Sequence, residues 1–377
     1  MKAAESLMLS AGARIALVSR TDETDTRNLK VLRSLSSRYT CMMVSVNGSG
    51  ASSAVFPWQR RALQLRDRGW ASLLWKAPEI ARHIESCLTQ FNPAVVVAVN
   101  EEVAALVVRH KGKLFQALVL DIHDELELRS YTESFAVTSV SRLVAKYARR
   151  NADRIICVAE ERLALLRPAD QRKAVCVHNF PCTPARPIRE NITRRDAFSI
   201  YVGGSLGEQR GLATLLAAAE MVGARIVSAG RLLDAYARDV FAKHPAVQYN
   251  GHVAPERAME LLAGCSASVV FFEPGPKVVE LAASNKVYEA LFVGRPILAN
   301  REMGTAPWIV REQVGYAVPY ADSAALADVF REIQTDKDGW QNMCRRARRT
   351  FEAGAYSWES QEPVLFKMLD DLIQKRG

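Results

Sequence analysis

Short, nearly continuous apolar runs alternate with helical patterns along this chain. Arg14-Ile-Ala-Leu-Val-Ser19 reads as a first strand, and residues 27–38 read as a helix with Leu29, Leu32 and Leu35 at i, i+3, i+6. Thr40–Val46 is strand-like, Ala94–Val99 is fully apolar, and Ala117–Leu120, Ile155–Val158 and Ala174–His178 continue the series. Runs of Val, Ile and Leu without polar alternation mark strands buried on both faces, which means a parallel sheet covered by helices.

The pattern restarts after Pro181-Cys-Thr-Pro184-Ala-Arg-Pro187. Ser199–Val202, Ala224–Ser228, Val247–Tyr249, Ser268–Phe272 and Pro296–Ala299 read as strands, with helical segments such as Gly211–Met221 between them. Residues 358–375 form an amphipathic pattern with Val364, Leu365, Leu369 and Leu372 apolar. The predicted organisation is two doubly wound α/β domains. Residues 1–182 form the first, 183–196 a linker, 197–356 the second, and 357–377 a closing helix.

Composition narrows the class. The 377 residues give room for two domains, and 49% hydrophobic with 24% charged residues excludes a disordered chain or a small disulfide scaffold. No run reaches the 18 or so apolar residues that would suggest a membrane span. The N-terminal pattern, broken by Glu5, Ser6 and Gly12, is too weak for a signal peptide. Seven scattered cysteines without a C-x-x-C fit a reducing compartment, so a cytoplasmic location is expected. The net charge of +9 is one-sided: residues 1–182 hold 26 Lys and Arg against 18 Asp and Glu. Such a field suits an anionic partner.

Three stretches carry candidate chemistry. Val202-Gly203-Gly204-Ser205-Leu-Gly-Glu-Gln-Arg210-Gly211 reads as a Gly-rich turn between a strand and a helix. Glycines admit close backbone approach, helix N-terminal amides attract phosphate, and Arg210 adds a fork matched to a diphosphate. Its spacing is neither that of a P-loop nor G-x-G-x-x-G. Taken alone, it is equally a tight strand–helix connection. In Asn285-Lys286-Val287-Tyr-Glu289, the i, i+3 spacing puts Lys286 and Glu289 on one helix face. The carboxylate there could accept both hydroxyls of a ribose; by itself the pair is an ordinary surface one. His123, between Asp121 and Asp124, stands at the carboxyl end of a strand, where doubly wound folds place ligands.

Together with a strand ending near Gly230, these stretches resemble the nucleotide-sugar domain of the family-4 glycosyltransferases. Val119-Leu-Asp121-Ile-His123, Ala152-Asp through Val158-Ala-Glu160, Val177-His-Asn179-Phe-Pro181 and Tyr356-Ser-Trp358-Glu are similar to further segments of that family. Residues 45–90 match none of them. The resemblance implies the GT-B fold, two facing Rossmann-like doubly wound domains with a C-terminal helix crossing back to the first. It implies a retaining glycosyltransferase that moves a sugar from a nucleotide-diphosphate sugar to a hydroxyl of a glycan or lipid-linked glycan, in envelope, exopolysaccharide or lipopolysaccharide synthesis. No cofactor and no metal are expected.

On the same resemblance, Gly203, Gly204, Ser205 and Gly230 admit the donor, and Arg210 and Lys286 neutralise its diphosphate. Asn285 and Val287 line the site, and Glu289 holds the ribose. His123, with Asp121 nearby, faces the transferred sugar or the acceptor. The chain departs from the family at two points. Leu281 stands eight residues before Glu289, where a second Glu is usual, with Glu280 one position off; Gly204-Ser205 stand where an Arg is frequent. The one Asp-x-Asp, Asp336-Lys-Asp338, follows no apolar strand and reads as a surface turn rather than a metal site.

Residues 57–76 bring together Trp58, Arg60, Arg61, Arg66, Arg68, Trp70 and Trp75. That mixture suits a membrane interface or a lipid-diphosphate acceptor, and equally an amphipathic surface helix with its Trp turned inward. A peripheral location on the anionic cytoplasmic membrane face is therefore a second expectation. Arg142, Lys146, Arg149 and Arg150 form another basic face at helical spacing. The competing readings are a nucleotide-sugar epimerase of the same fold and a non-catalytic nucleotide-sugar-binding subunit. A nucleic-acid partner rests on charge alone, without an RNP-like motif or zinc knuckle, and is not expected.

Overall fold

The computed structural model of the chain describes residues 12–22, 25–46, 55–65, 76–126, 135–183, 198–275 and 284–375. It divides into two units: Met1–Asn179 with Gln361–Gly377, and Phe180–Ser360. The expected linker, from residue 184 onward, lies outside the described residues.

The first unit is built from β1 (Arg14–Ser19), α1 (Thr26–Ser36), β2 (Thr40–Ser45), β3 (Gln59–Ala62), α2 (Ala77–Phe91), β4 (Val95–Val99), α3 (Glu101–Val107), β5 (Ala117–Ile122), α4 (Phe135–Asn151), β6 (Arg154–Cys157), α5 (Glu160–Leu163), α6 (Pro168–Gln171) and β7 (Ala174–Cys176). The strands form one sheet in the order β3-β2-β1-β4-β5-β6-β7, and every pair is parallel. Helices cover both faces, so β4 is buried at all five positions, as its unbroken Val-Val-Val-Ala-Val requires. Asp25 starts α1 by accepting from the backbone N–H groups of Arg27 and Asn28.

The second unit comprises β8 (Ser199–Leu206), α7 (Leu212–Val222), β9 (Arg225–Leu232), α8 (Ala235–Lys243), β10 (Val247–Tyr249), α9 (Pro255–Ala263), β11 (Ala267–Val270), α10 (Asn285–Phe292), β12 (Ile297–Asn300), α11 (Ala306–Arg311), β13 (Gly315–Val318), α12 (Ser323–Thr335) and α13 (Lys337–Ala353). Its parallel sheet runs β10-β9-β8-β11-β12-β13, the doubly wound order 3-2-1-4-5-6. A final helix, α14 (Trp358–Gln374), leaves the second unit and enters the first at Gln361. There Leu365, Met368, Leu369 and Leu372 are buried. Its Glu362 accepts from Ser34 Oγ at 2.7 Å, and its Asp370 accepts from the Tyr39 hydroxyl at 2.7 Å.

Three expectations need correcting. Residues 59–62 are an edge strand beside β2 and not helix, with Met42 opposite Gln59 and Val44 opposite Arg61. Trp58 is no membrane anchor: it is buried and stacks on Phe56 at 4.7 Å between ring centroids. Arg60 is partly exposed and stacks over Phe56, and Arg61, the next residue of the strand, is exposed, whereas Arg66, Arg68, Trp70 and Trp75 lie outside the described residues. Arg149 likewise leaves the basic face of α4, because its guanidinium turns inward onto Glu101 at 2.6 Å.

The first sheet is locked at its carboxyl edge by a buried ion pair. Arg27 on α1 donates from Nε and Nη2 to both oxygens of Asp121 on β5, at 3.2 and 2.9 Å, and from Nη1 to the carbonyl of Val177 beyond β7. Burial pushes the Asp121 carboxyl up, but Arg27 and His123 outweigh it and hold it well below the usual carboxylate range. A depressed folded value stabilises above the unfolded pKa, near 4 for Asp, and that contribution is lost as acid approaches the lower folded value. Asp121→Ala strands a buried guanidinium and should cost about 3–5 kcal/mol in urea unfolding. A loss below about 1 kcal/mol would show that the pair does not hold the sheet edge.

Candidate functional site

In open α/β sheets ligands gather outside the carboxyl ends of the strands, where the strand order reverses. In the second unit that point lies between β8 and β11. The Gly-rich stretch is there, in a form its sequence does not suggest. Gly203, Gly204 and Ser205 continue β8 rather than turning, paired with Ala229, Gly230 and Arg231 of β9. The turn proper is Gly207, a 3-10 turn at Glu208–Arg210, and Gly211, which enters α7 in the left-handed conformation at φ 64°.

The glycines are needed for space. A side chain on Gly230, at φ 151°, would run into the carbonyl oxygen of Gly204. A Cβ on Gly203 would collide with the ring and hydroxyl of Tyr201, two residues earlier on the same strand face. At Gly204 the added atom would stand 3.1 Å from Cε of Lys286. Gly204 is thus the floor beneath the Lys286 side chain, and the two sequence stretches meet.

Lys286 does not stand alone. Its Nζ donates to both carboxylate oxygens of Glu289, at 2.8 and 2.6 Å, and both side chains remain partly exposed. Arg210 places its guanidinium 3.8 Å over the ring of Phe272, just past β11. Backbone bonds tie these loops: the Glu273 N–H donates to the Gln209 carbonyl at 2.9 Å, and the Gly211 N–H to the Tyr320 hydroxyl at 3.1 Å. Asp234 accepts from the backbone of Glu208 and Ala237, and those two bonds lower its pKa. Asn300, fully buried at the end of β12, accepts from the Phe272 N–H at 2.8 Å.

Not every expected donor residue offers a group. Val287 has its side chain in the core, and its N–H is spent on the Ser284 carbonyl at 3.0 Å. Asn285, the first residue of α10, is partly exposed. Glu280 and Leu281 lie outside the described residues. Asp336 caps α13 by accepting from the Gly339 N–H, so Asp336-Lys-Asp338 follows a helix rather than a strand.

In the first unit, His123 follows β5 directly. Its Nε2 meets Asp121 Oδ2 at 3.2 Å, and its backbone N–H donates to Asn100 Oδ1 at 2.8 Å. Arg162 donates to its carbonyl at 2.7 Å. The ring is 14% exposed, whereas Asp121 is sealed. Asp121, expected with His123 in the catalytic group, is buried, and its carboxylate meets the His123 ring instead of solvent. Sequence reasoning also missed Tyr201, Phe272, Asn300 and Arg27. The Tyr201–Gly203 alternation along one strand was the available signal for the first of these.

The comparisons agree with this geometry. Residues 198–336, within the second unit, match the sequence model of a family described as Glycosyl transferases group 1. Among solved structures, the chain resembles a sucrose-phosphate synthase from Thermosynechococcus elongatus, with TM-score 0.73 and 15% identity over 96% of this chain and 100% of that one. It also resembles Anabaena HepE in complex with UDP and glucose, with TM-score 0.68 and 14% identity over 94% and 98%. A third similar structure is WaaG, a glycosyltransferase involved in lipopolysaccharide biosynthesis, with TM-score 0.66 and 13% identity over 93% and 99%. The two doubly wound units are those of the GT-B fold. Comparison with curated protein sequences gives no match.

The Tyr201 hydroxyl, buried under Gly203, has no hydrogen-bond partner among the described residues, and burial with Glu289 nearby raises its pKa. Removing an unsatisfied buried hydroxyl relieves its desolvation cost, so Tyr201→Phe should leave thermal stability unchanged or raise it by about 1 kcal/mol. A clear loss of stability would mean that the hydroxyl is bonded in solution.

Proposed function

We propose that this chain is a metal-independent, retaining glycosyltransferase that uses a nucleotide-diphosphate sugar. The observation that carries the reading is the meeting of Gly204, Lys286 and Glu289 at the carboxyl ends of the second sheet, inside the segment matching the group 1 family. The donor diphosphate lies along the Gly203–Gly204 backbone. Arg210 and Lys286 supply the positive charge that stabilises it as a leaving group. Glu289 exchanges Lys286 for the two ribose hydroxyls. His123, oriented by Asp121, serves a substrate hydroxyl. HepE in complex with UDP makes a uridine diphosphate sugar the first donor to test.

The acceptor is a hydroxyl of a glycan or lipid-linked glycan at the cytoplasmic membrane face, a reading supported by the basic first half and by WaaG's part in lipopolysaccharide synthesis. No helix among the described residues is long and apolar enough to cross a membrane. Flotation with anionic vesicles at low salt tests the membrane part. A protein that stays at the bottom of the gradient removes it.

A thermal-shift screen against UDP, GDP, ADP, CMP, TDP and their common sugars tests the donor site. Ligands that bind only the folded state raise the melting temperature. One nucleotide diphosphate should raise it, and EDTA should leave that rise unchanged. Arg210→Ala and Glu289→Ala should weaken binding about 10- to 100-fold, the loss of charged hydrogen bonds worth about 1.5–3 kcal/mol. No response to any nucleotide refutes the donor site. Binding with no transfer to any acceptor points to a non-catalytic subunit, and an altered free sugar nucleotide points to an epimerase. His123→Asn should lower kcat while leaving donor binding intact.

A further inference from the structure

Three side chains that the transfer reaction leaves unused converge in the first unit. Glu160, Cys176 and His178 bring a carboxylate oxygen, a thiol sulfur and an imidazole nitrogen within 4.8 Å of one another. Topology explains the meeting across sixteen residues. β6 and β7 are parallel neighbours with Cys157 opposite Cys176, and Glu160 begins α5 just beyond β6. Cys176 ends β7 and His178 stands two residues on, so extended backbone presents both on one face. Val177, between them, is fully buried on the other side.

The distances have the dimensions of a metal site. Cys176 Sγ stands 3.5 Å from His178 Nε2 and 3.6 Å from Nδ1. Tetrahedral zinc, at about 2.3 Å from sulfur and about 2.0–2.1 Å from nitrogen, sets its two ligand atoms about 3.6 Å apart. A second, independent feature is the oxygen of Gln361 on α14. It accepts the His178 backbone N–H at 3.0 Å and lies 3.3 Å from Nδ1. Metal-binding imidazoles commonly donate their second ring N–H to such an oxygen, which fixes the tautomer. With Nδ1–H on Gln361, Nε2 keeps its lone pair free for a metal, 3.5 Å from the sulfur. Glu160 is exposed, so its carboxylate closes the site by a rotamer change without disturbing the core.

We propose that Glu160, Cys176 and His178 form a three-ligand site for Zn2+ or a similar borderline divalent cation, with the fourth position open to water. A thiolate, a carboxylate and a neutral imidazole carry two negative charges and balance a dication. The sulfur and nitrogen donors favour zinc or cobalt over magnesium or calcium. On binding, the Cys176 S–H gives its proton to solvent as the metal–sulfur bond forms. The site goes beyond the transfer reaction. Its role is to brace β7, the start of α5 and, through Gln361, the helix α14.

The test titrates the metal-free, full-length protein with Co2+ and follows the thiolate-to-cobalt charge-transfer absorption. This readout is independent of turnover and of nucleotide binding, so its failure and the failure of the proposed reaction are distinguishable. One equivalent of Co2+ should saturate the band, and Zn2+ should displace it. Cys176→Ser should abolish it. His178→Gln and Glu160→Gln should weaken binding tenfold or more, with the metal-free melting temperature of the exposed Glu160→Gln variant unchanged. Absence of the band overturns the site, as does a band that survives Cys176→Ser. Unchanged affinity in Glu160→Gln also overturns the three-ligand assignment.

Discussion

The guanidinium of Arg27 organises the carboxyl edge of the first sheet. It fills three acceptors at once, two on Asp121 and one on Val177, and so joins α1, β5 and the end of β7. The same carboxylate also meets His123, and both neighbours favour its ionised form despite full burial. Two further arginines repeat the device nearby: Arg149 on Glu101, and Arg162 on Glu125 at 3.2 Å. Buried pairs gain little net stability over apolar packing, because both charges lose water. What they fix is geometry. His123 is held through its ring, its backbone N–H and its carbonyl by Asp121, Asn100 and Arg162.

The second unit solves a different problem, how to bring backbone and a charged helix face close together. Gly204 and Gly230 let β8 and β9 approach at their tips, and Gly204 leaves room for Lys286. The Lys286–Glu289 pair then satisfies both charges in the free protein. On the proposed donor reading, a ligand with ribose hydroxyls but no phosphate would separate that pair and leave the ammonium uncompensated, whereas one that carries both groups would replace each partner. Recognition of sugar and of phosphate would then be coupled through one ion pair.

Much of this was legible in the sequence, and the failures have physical causes. Val95–Val99 and Ile155–Cys157 announce themselves because strands buried on both faces tolerate little polarity. The polar Gln59–Ala62 does not, since an edge strand takes its hydrogen bonds from β2 and needs no apolar pattern. Gly203–Ser205 read as a turn because glycine is a weak strand former, yet pairing with β9 overrides that preference. The Lys286–Glu289 pair followed from i, i+3 spacing alone. The burial of Asp121 against Arg27 left no local signal, because its partner lies 94 residues upstream. Glu160, Cys176 and His178 fit no short motif, because strand pairing and not spacing brings them together.

The path of the chain has a consequence for synthesis on the ribosome. The second unit is inserted within the first, and its two ends are bonded to each other: Trp358 N–H to the Pro181 carbonyl, Thr183 to Glu359. β1 to β7 emerge first, but the face formed by Ser34, Arg38 and Tyr39 receives Glu362, Phe366 and Asp370 only after the whole insertion has been translated. Domains usually mature in the order in which they are made. Here the later-made unit is complete first, and the earlier one waits, with its apolar flank open, for a helix that comes some 180 residues afterwards. A nascent chain stalled before Gln361 would expose that flank to chaperones.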